Sequence, residues 1–470
     1  MSRVQLVALA TLSLLATVAV LVAGGSSPRR GSLDAALRAA AAHRAATTVP
    51  AGGEADDGGT GSADDGESAD DADDAVGSFD DGGADAGDVA AADEGAAAAD
   101  DTAASGSDEA TGSGDDGATG DDEADEPRPT KVRHVFVVAL HGQGFEATFG
   151  EGAATAAPYL NGELRRKGVL LSGYRSLASA ELPDHLALVG GQPPNADTRA
   201  DCPVFREIPP TATPTRSGEV RADGCVFPNT VITLGDQLSA TRRSWRAYVE
   251  DLDRGTPRRT TCRRPESNGA DETLRGRLGD GYATRRNPFV YFHSLLDLGD
   301  CDANDGALER LRDDLRAART TASFSWIAPN LCNAGSEAPC ADGSPGGLPA
   351  ADAFLKTWVP EILASPAYRA SGLLLVVFAG GSGGVGAGSG SGADAAAGAG
   401  AAGAGPRNGA LLLSPFAQAG TTAASAYDPY ALLRSVEDLF ALRPLARAAT
   451  ASSFAPTVLG SAYTEPPSDG

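Results

Sequence analysis

Histidine is scarce in this chain and the C-x-x-C pair is absent: there are five histidines in 470 residues. Little is therefore available for a structural zinc site, which normally draws on closely spaced Cys and His ligands. Basic residues are missing from one long stretch. Residues 51–127 hold 27 of the 63 acidic residues, no Lys or Arg, and almost nothing apolar beyond alanine. Such a segment cannot bury enough surface to offset its ordering entropy, so residues 26–130 are expected to form a disordered acidic linker. Like-charge repulsion favours an extended spacer over a specific cation site. The formal charge of −25 belongs to that linker, since the remainder carries 36 acidic against 38 basic residues. A near-neutral remainder gives no charge signal for nucleic acid or for a membrane surface.

Three features stand out against these absences. Residues 4–23, VQLVALATLSLLATVAVLVA, form one apolar run behind Arg3. The run is long enough for a membrane anchor, and small residues follow it as in a cleaved signal peptide. Residues 1–25 are expected to be one or the other, with the remaining chain outside the cytoplasm, secreted or attached to the membrane through 4–23. Six cysteines, Cys202, Cys225, Cys262, Cys301, Cys332 and Cys340, fit disulfides in an exported chain. Of about 15 possible pairings, the sequential one is favoured because each bridge would staple an irregular insertion. Finally, order is expected from 131 to 463, with a disordered tail at 464–470.

Within 131–463, near-continuous apolar runs read as strands buried on both faces: 132–140, 287–292, 322–329, 372–379 and 410–416, with a shorter one beginning at 169. A helix is expected over 157–168, ending at Gly168. Amphipathic stretches carry Leu308, Leu311 and Leu315, and then Leu432, Leu433, Val436, Leu439 and Phe440. The second is announced by Asp428-Pro429, an N-cap followed by proline at the first helical position. Alternating strands and helices predict an α/β domain with a mostly parallel sheet covered on both faces. A flexible Gly/Ala-rich loop, 380–405, follows a central strand, the place where open α/β sheets usually bind ligands.

Several segments in order, APYLN (157–161), GVLLSGY (168–174), LPDHLALVGG (182–191), SWRAYVEDL (244–252), NPFVYF (287–292), IAPNLCN (327–333), WVPEILASPAY (358–368) and LLRSVEDLFALRPL (432–445), resemble the bacterial phosphoesterase family of acid phosphatases and phospholipase C-type enzymes. The resemblance implies an alkaline-phosphatase-like fold. It also implies divalent metals held by Asp, Glu, Asn and His at strand ends, which assist a Ser or Thr nucleophile.

The residues that would carry this chemistry are changed. Where the family's first strand ends in Glu-Asn, this chain has His141-Gly142. The nucleophile position is Glu181, in SAELP. Asp-x-His-Asp is replaced by Ala334, Gly335, Ser336 and Glu337. Phe-Asp-Glu becomes Phe378-Ala379-Gly380, and Pro429 stands where a histidine enters the final helix. Alanine and glycine offer no side-chain lone pair to a hard cation, so no cofactor is expected. The polar residues left over are His141, Glu146, Glu181, Asp184 and His185, with Ser179 as a nearby loop hydroxyl. His141 with Asp184 and His185 offers a replacement metal site. Against it, Asp184 reads as a helix cap and His185 as a packed or solvent-facing ring. The favoured function is a pseudoenzyme that binds an unidentified ligand or surface partner. The alternatives are a phosphoric-ester hydrolase with relocated groups, for which a divalent metal would be required, and a domain with no pocket function.

Overall fold

A computed structural model of the chain describes residues 131–254, 260–381 and 405–463. The signal or anchor at 1–25, the linker at 26–130, the tail at 464–470 and all of the 380–405 loop except 380, 381 and 405 lie outside the described residues.

Eight strands form one sheet: β1 (His134–His141), β2 (Val169–Tyr174), β3 (Trp245–Val249), β4 (Asp305–Ala307), β5 (Phe324–Ala328), β6 (Gly372–Ala379), β7 (Ala410–Leu413) and β8 (Thr421–Tyr427), in the order β4-β3-β5-β1-β6-β7-β2-β8. Every neighbouring pair is parallel except those made by β7, which runs antiparallel between β6 and β2. The carboxyl ends of the other seven strands therefore share one edge. The domain is α/β, with a mostly parallel sheet.

Strand periodicity explains the continuous apolar runs. In β1, Val135, Val137 and Ala139 enter one core, while Phe136, Val138 and Leu140 enter the core on the opposite face. β6 repeats this with Leu373, Leu375 and Val377 against Leu374, Val376 and Phe378. Each large side chain so buried contributes roughly 1.5–3 kcal/mol relative to exposure.

The longer helices are α1 (Leu182–Gly190), α2 (Leu234–Ala240), α3 (Gly347–Ala364) and α4 (Pro429–Leu439). The first, second and fourth pack on the first face and α3 on the second. α4 begins as its sequence dictates, with the Asp428 side chain accepting the Ala431 N–H at 2.9 Å. No helix among the described residues is long and apolar enough to cross a membrane.

Four expectations need correction. Residues 287–292 are not a strand: Pro288–Tyr291 is a 3-10 turn. Pro288 has no N–H for a ladder, and β4 holds the sheet edge instead. The 157–168 helix is broken into a π-helical turn (Leu160–Leu164) and Arg165–Lys167. Its last residue, Gly168, leaves in an extended conformation rather than a left-handed cap. Helix around Leu308, Leu311 and Leu315 shrinks to Arg310–Asp314. The 410–416 segment is a four-residue strand and runs antiparallel.

The disulfides are Cys202–Cys225, Cys262–Cys301 and Cys332–Cys340, the sequential set. Bridges of this kind persist in oxidising compartments.

Candidate active-site region

The carboxyl end of β1 delivers His141, and the loop leading into α1 delivers Glu181 beneath it. Glu181 is 1% exposed and has a partner on every side. Its Oε1 accepts hydrogen bonds from His141 Nδ1 at 2.5 Å and from the Ser336 hydroxyl at 2.6 Å. Its Oε2 accepts from Arg286 Nη1 at 2.7 Å, and Arg285 Nε stands 3.5 Å away. Burial alone would raise this carboxyl's pKa. The charges of Arg286, His141 and Arg285 outweigh burial and hold it well below the ordinary range. Glu181 is thus a clamped carboxylate, ill suited to accept a proton or to attack phosphorus.

Arg286 acts as a tie across the sheet edge. It is 1% exposed. Its Nε donates to the Pro329 carbonyl beyond β5 at 2.8 Å, and its Nη2 donates to the Ala139 carbonyl in β1. Two strand ends and the α1 entry loop are joined through one guanidinium. Its own carbonyl accepts from Trp326 Nε1 at 3.0 Å.

Asn408 fills the neighbouring place between β1 and β6. Fully buried, it donates through Nδ2 to Gly380 O at 2.8 Å and Phe378 O at 3.1 Å, and contacts the Ser176 hydroxyl at 2.8 Å. Its Oδ1 accepts the Gly144 N–H at 3.1 Å. A Cβ on Gly142 would lie 2.3 Å from Gly380 O and 2.4 Å from Asn408 Nδ2. Gly381, at φ 91°, would place a Cβ 1.9 Å from the Gly142 carbonyl. Glycine at these two positions lets the Gly142 and Gly380–Gly381 backbones and the Asn408 side chain approach this closely.

The other residues singled out by sequence fall into separate roles. Asp184 lies in the first turn of α1 but does not cap that helix; the N-cap is Glu181, without a side-chain cap bond. The Asp184 carboxylate instead accepts the Leu177 N–H at 2.7 Å and the Gly380 N–H at 2.9 Å, tying two loops together. Burial raises its pKa to about 7, against the pull of these donors. His185 packs edge-on against Trp326 at 5.3 Å and donates through Nδ1 to Arg285 O at 2.8 Å. Its buried Nε2 has no partner, and burial with the nearby Arg286 charge lowers its pKa to about 4. Glu337 accepts the Gly276 N–H at 2.6 Å, and Glu146 pairs with Arg407 at 2.7 Å on the surface. Ala334 is buried and accepts the His141 N–H through its carbonyl, while the Ala379 carbonyl accepts that of Gly142. The Ser179 carbonyl accepts the Gly381 N–H.

The structure therefore brings together His141, Glu181 and Ser336, and leaves Asp184 and His185 in other bonds. Among the described residues, His141, Glu181, Asp184 and His185 do not converge as a metal-ligand set. One such grouping exists, Cys262, Cys301 and Asp305, and its two sulfurs are joined as a disulfide. The cavities of about 380 and 460 Å³ lined by Arg447 and by Phe416 lie away from the His141–Glu181 cluster and take none of its residues.

Sequence reasoning missed Arg286 and Asn408. The signal for Arg286 was available only as a pair of arginines directly before the quoted NPFVYF segment.

The Phosphoesterase family model matches residues 138–443, and the chain belongs to that family. No curated protein matches the chain in sequence. Solved structures similar to it include an alkaline-phosphatase-superfamily protein from Vibrio parahaemolyticus, with TM-score 0.35, 12% identity, and 67% of this chain and 69% of that chain covered. Another is a 2-O GAG sulfatase, with TM-score 0.40, 12% identity and coverage of 70% and 74%. A third is a phosphonate monoester hydrolase from Silicibacter pomeroyi, with TM-score 0.31, 13% identity and coverage of 72% and 78%.

Proposed function

We infer that this is an extracytoplasmic phosphoesterase-family domain that has given up phosphoester hydrolysis and acts by binding. The observation that carries the reading is the state of Glu181. At the nucleophile position stands a buried carboxylate, neutralised by Arg286 from the protein itself. Metal-dependent hydrolases place cations at strand ends to stabilise the charge of the transferring group. Here guanidinium charge stands beside the carboxylate, and the Arg286 donors are bonded to Glu181, Pro329 and Ala139. Side chains that could ligate a metal are replaced by Gly142, Ala334, Ala379 and Gly380 at the surrounding strand ends. The residues present do not fit the divalent-metal centre that the family resemblance implies. The apolar N-terminal run and the disulfides support a location outside the cytoplasm, secreted or membrane-attached.

A second reading rests on His141. With Nδ1 bonded to the Glu181 carboxylate, Nε2 is the ring nitrogen left for a substrate, and the side chain is 24% exposed. An imidazole oriented by a carboxylate can serve as a general base, so a relocated hydrolase would use His141 with Glu181 as its positioning partner.

Phosphomonoester, phosphodiester and sulfate-ester turnover assays, each with calcium, zinc and manganese, separate the two. The binding reading expects no turnover above the uncatalysed rate. Turnover that disappears in His141→Ala or Glu181→Ala would establish the relocated hydrolase instead.

A further inference from the structure

Beyond the carboxyl end of β8, where α4 begins, lies a cavity of about 380 Å³. That volume falls within the range of small-molecule sites, about 300–1,000 Å³, and the position is on the sheet edge where open α/β folds bind ligands. Its lining includes Glu219, Asp428, Tyr430, Arg447, Thr450 and Ser452.

Several independent features hold this lining in place. Gln192, 2% exposed, straddles Glu219: its Nε2 donates to Gly218 O at 2.9 Å and its Oε1 accepts from Val220 N at 3.0 Å. The same residue's carbonyl accepts from the Tyr430 hydroxyl at 3.3 Å. The Cys202–Cys225 bridge closes the loop that carries Glu219. On the opposite wall, Arg447 follows Ala446, a non-glycine residue at φ 41°. Its N–H is bonded to Gly191 O at 3.2 Å. Left-handed backbone at alanine is strained, and surrounding structure must enforce it.

The charges are opposed and loosely matched. Arg447 Nε lies 3.6 Å from Glu219 Oε2, which Arg221 also approaches at 3.4 Å. The Arg447 separation is too long for a good hydrogen bond, so the guanidinium and Glu219 retain capacity for a ligand, while Asp428, which also caps α4 through the Ala431 N–H at 2.9 Å, adds a second negative charge. One cation and two anions around one small cavity, lined also by Thr450, Ser452 and Tyr430, match a molecule that carries both charges. We propose that this cavity binds a small zwitterion of the amino-acid class, its carboxylate on Arg447 and its ammonium between Asp428 and Glu219.

This deepens the binding reading and rests on it only in taking the domain to bind without hydrolysis. Calorimetric titration of the full chain with L-alanine and glycylglycine, and with propionate and ethylamine as single-charge halves, tests it. Saturable heat from a zwitterion is expected, with each half weaker by at least about tenfold. Arg447→Gln and Glu219→Gln should each lose a similar factor. If Arg447→Gln fails to fold by circular dichroism, Glu219→Gln decides alone. The proposal is overturned if neither zwitterion gives saturable heat, if a half binds as tightly as the whole, or if binding survives the substitutions unchanged. Turnover plays no part in this titration, so its failure leaves the inference of lost hydrolysis standing, and turnover found in the ester assays would not erase binding measured here.

Discussion

Two places on the same sheet edge are built from similar residues and end in opposite states. At the ends of β1 and β6, a carboxylate and a guanidinium meet at 2.7 Å and both are essentially fully buried. At the end of β8, a carboxylate and a guanidinium stand 3.6 Å apart around an open cavity. The difference lies in geometry and desolvation. Where the pair is dry and bonded on every side, the charges satisfy each other and nothing remains for a ligand. Where they are partly solvated and held apart by separately anchored loops, unsatisfied capacity remains. The same sheet edge thus carries a dry, fully bonded ion pair at one place and a longer, partly solvated one at another.

The largest effect expected from breaking this contrast is at the closed site. Glu181→Ala should cost about 3–5 kcal/mol, because it strands the Arg286 charge in the interior. Urea denaturation checks this. The double replacement Glu181→Leu with Arg286→Met should recover much of the loss, since apolar pairs often substitute well for buried ion pairs. A double replacement as unstable as the single one would argue that Arg286 is held for its carbonyl contacts rather than for charge.

Acidification should also act there. His185 is neutral in the folded protein down to about pH 4, against an ordinary 6.5. Between those values the unfolded chain binds a proton that the folded one refuses, so stability falls as pH drops through that window. Its contribution is on the order of 3 kcal/mol from the size of the shift. Glu181 adds to the loss below its ordinary 4.5, because its folded-state value is depressed. Asp184 works in the opposite direction: with its value raised to about 7, stability declines as pH rises from 3.8 towards 7. A pH series of denaturation midpoints on the chain and on His185→Phe isolates the first of these. A slope between pH 4 and 6.5 that is unchanged in the variant would contradict the assignment.

Smaller effects belong to the open site. Gln192→Leu removes the bonds that straddle Glu219 and should cost about 1–3 kcal/mol, read by thermal unfolding. Arg447→Gln should change stability by no more than about 0.5 kcal/mol while weakening zwitterion binding by at least about tenfold. A large stability loss there would make Arg447 a structural residue and erase the contrast between the two places.

How much of this could be read from the chain alone follows from the range of the interactions. β1 and β6 were legible because their runs obey a local rule, apolar on both faces. The start of α4 was legible because Asp428-Pro429 is a complete local signal. Residues 287–292 misled because a short apolar run looks alike in a strand and in a buried turn, and the proline was the discriminating residue. β8, TTAASAY, was invisible because an exposed edge strand needs no apolar pattern. At the site, the positions Gly142, Glu181, Ala334, Ala379 and Gly380 were legible only through the family resemblance. The bonds that surround them were not, since Arg286 reaches Glu181 across 105 residues of sequence and Asn408 reaches Ser176 across 232.

We infer that the protein's own charges stand at the β1 and β6 ends where the family resemblance implies metal. Anomalous diffraction from crystals soaked separately in zinc and manganese measures this most directly. No metal peak is expected within ligating distance of His141, Glu181 or Ser336. A peak coordinated by His141 Nε2 with Glu181 released from Arg286 would contradict it.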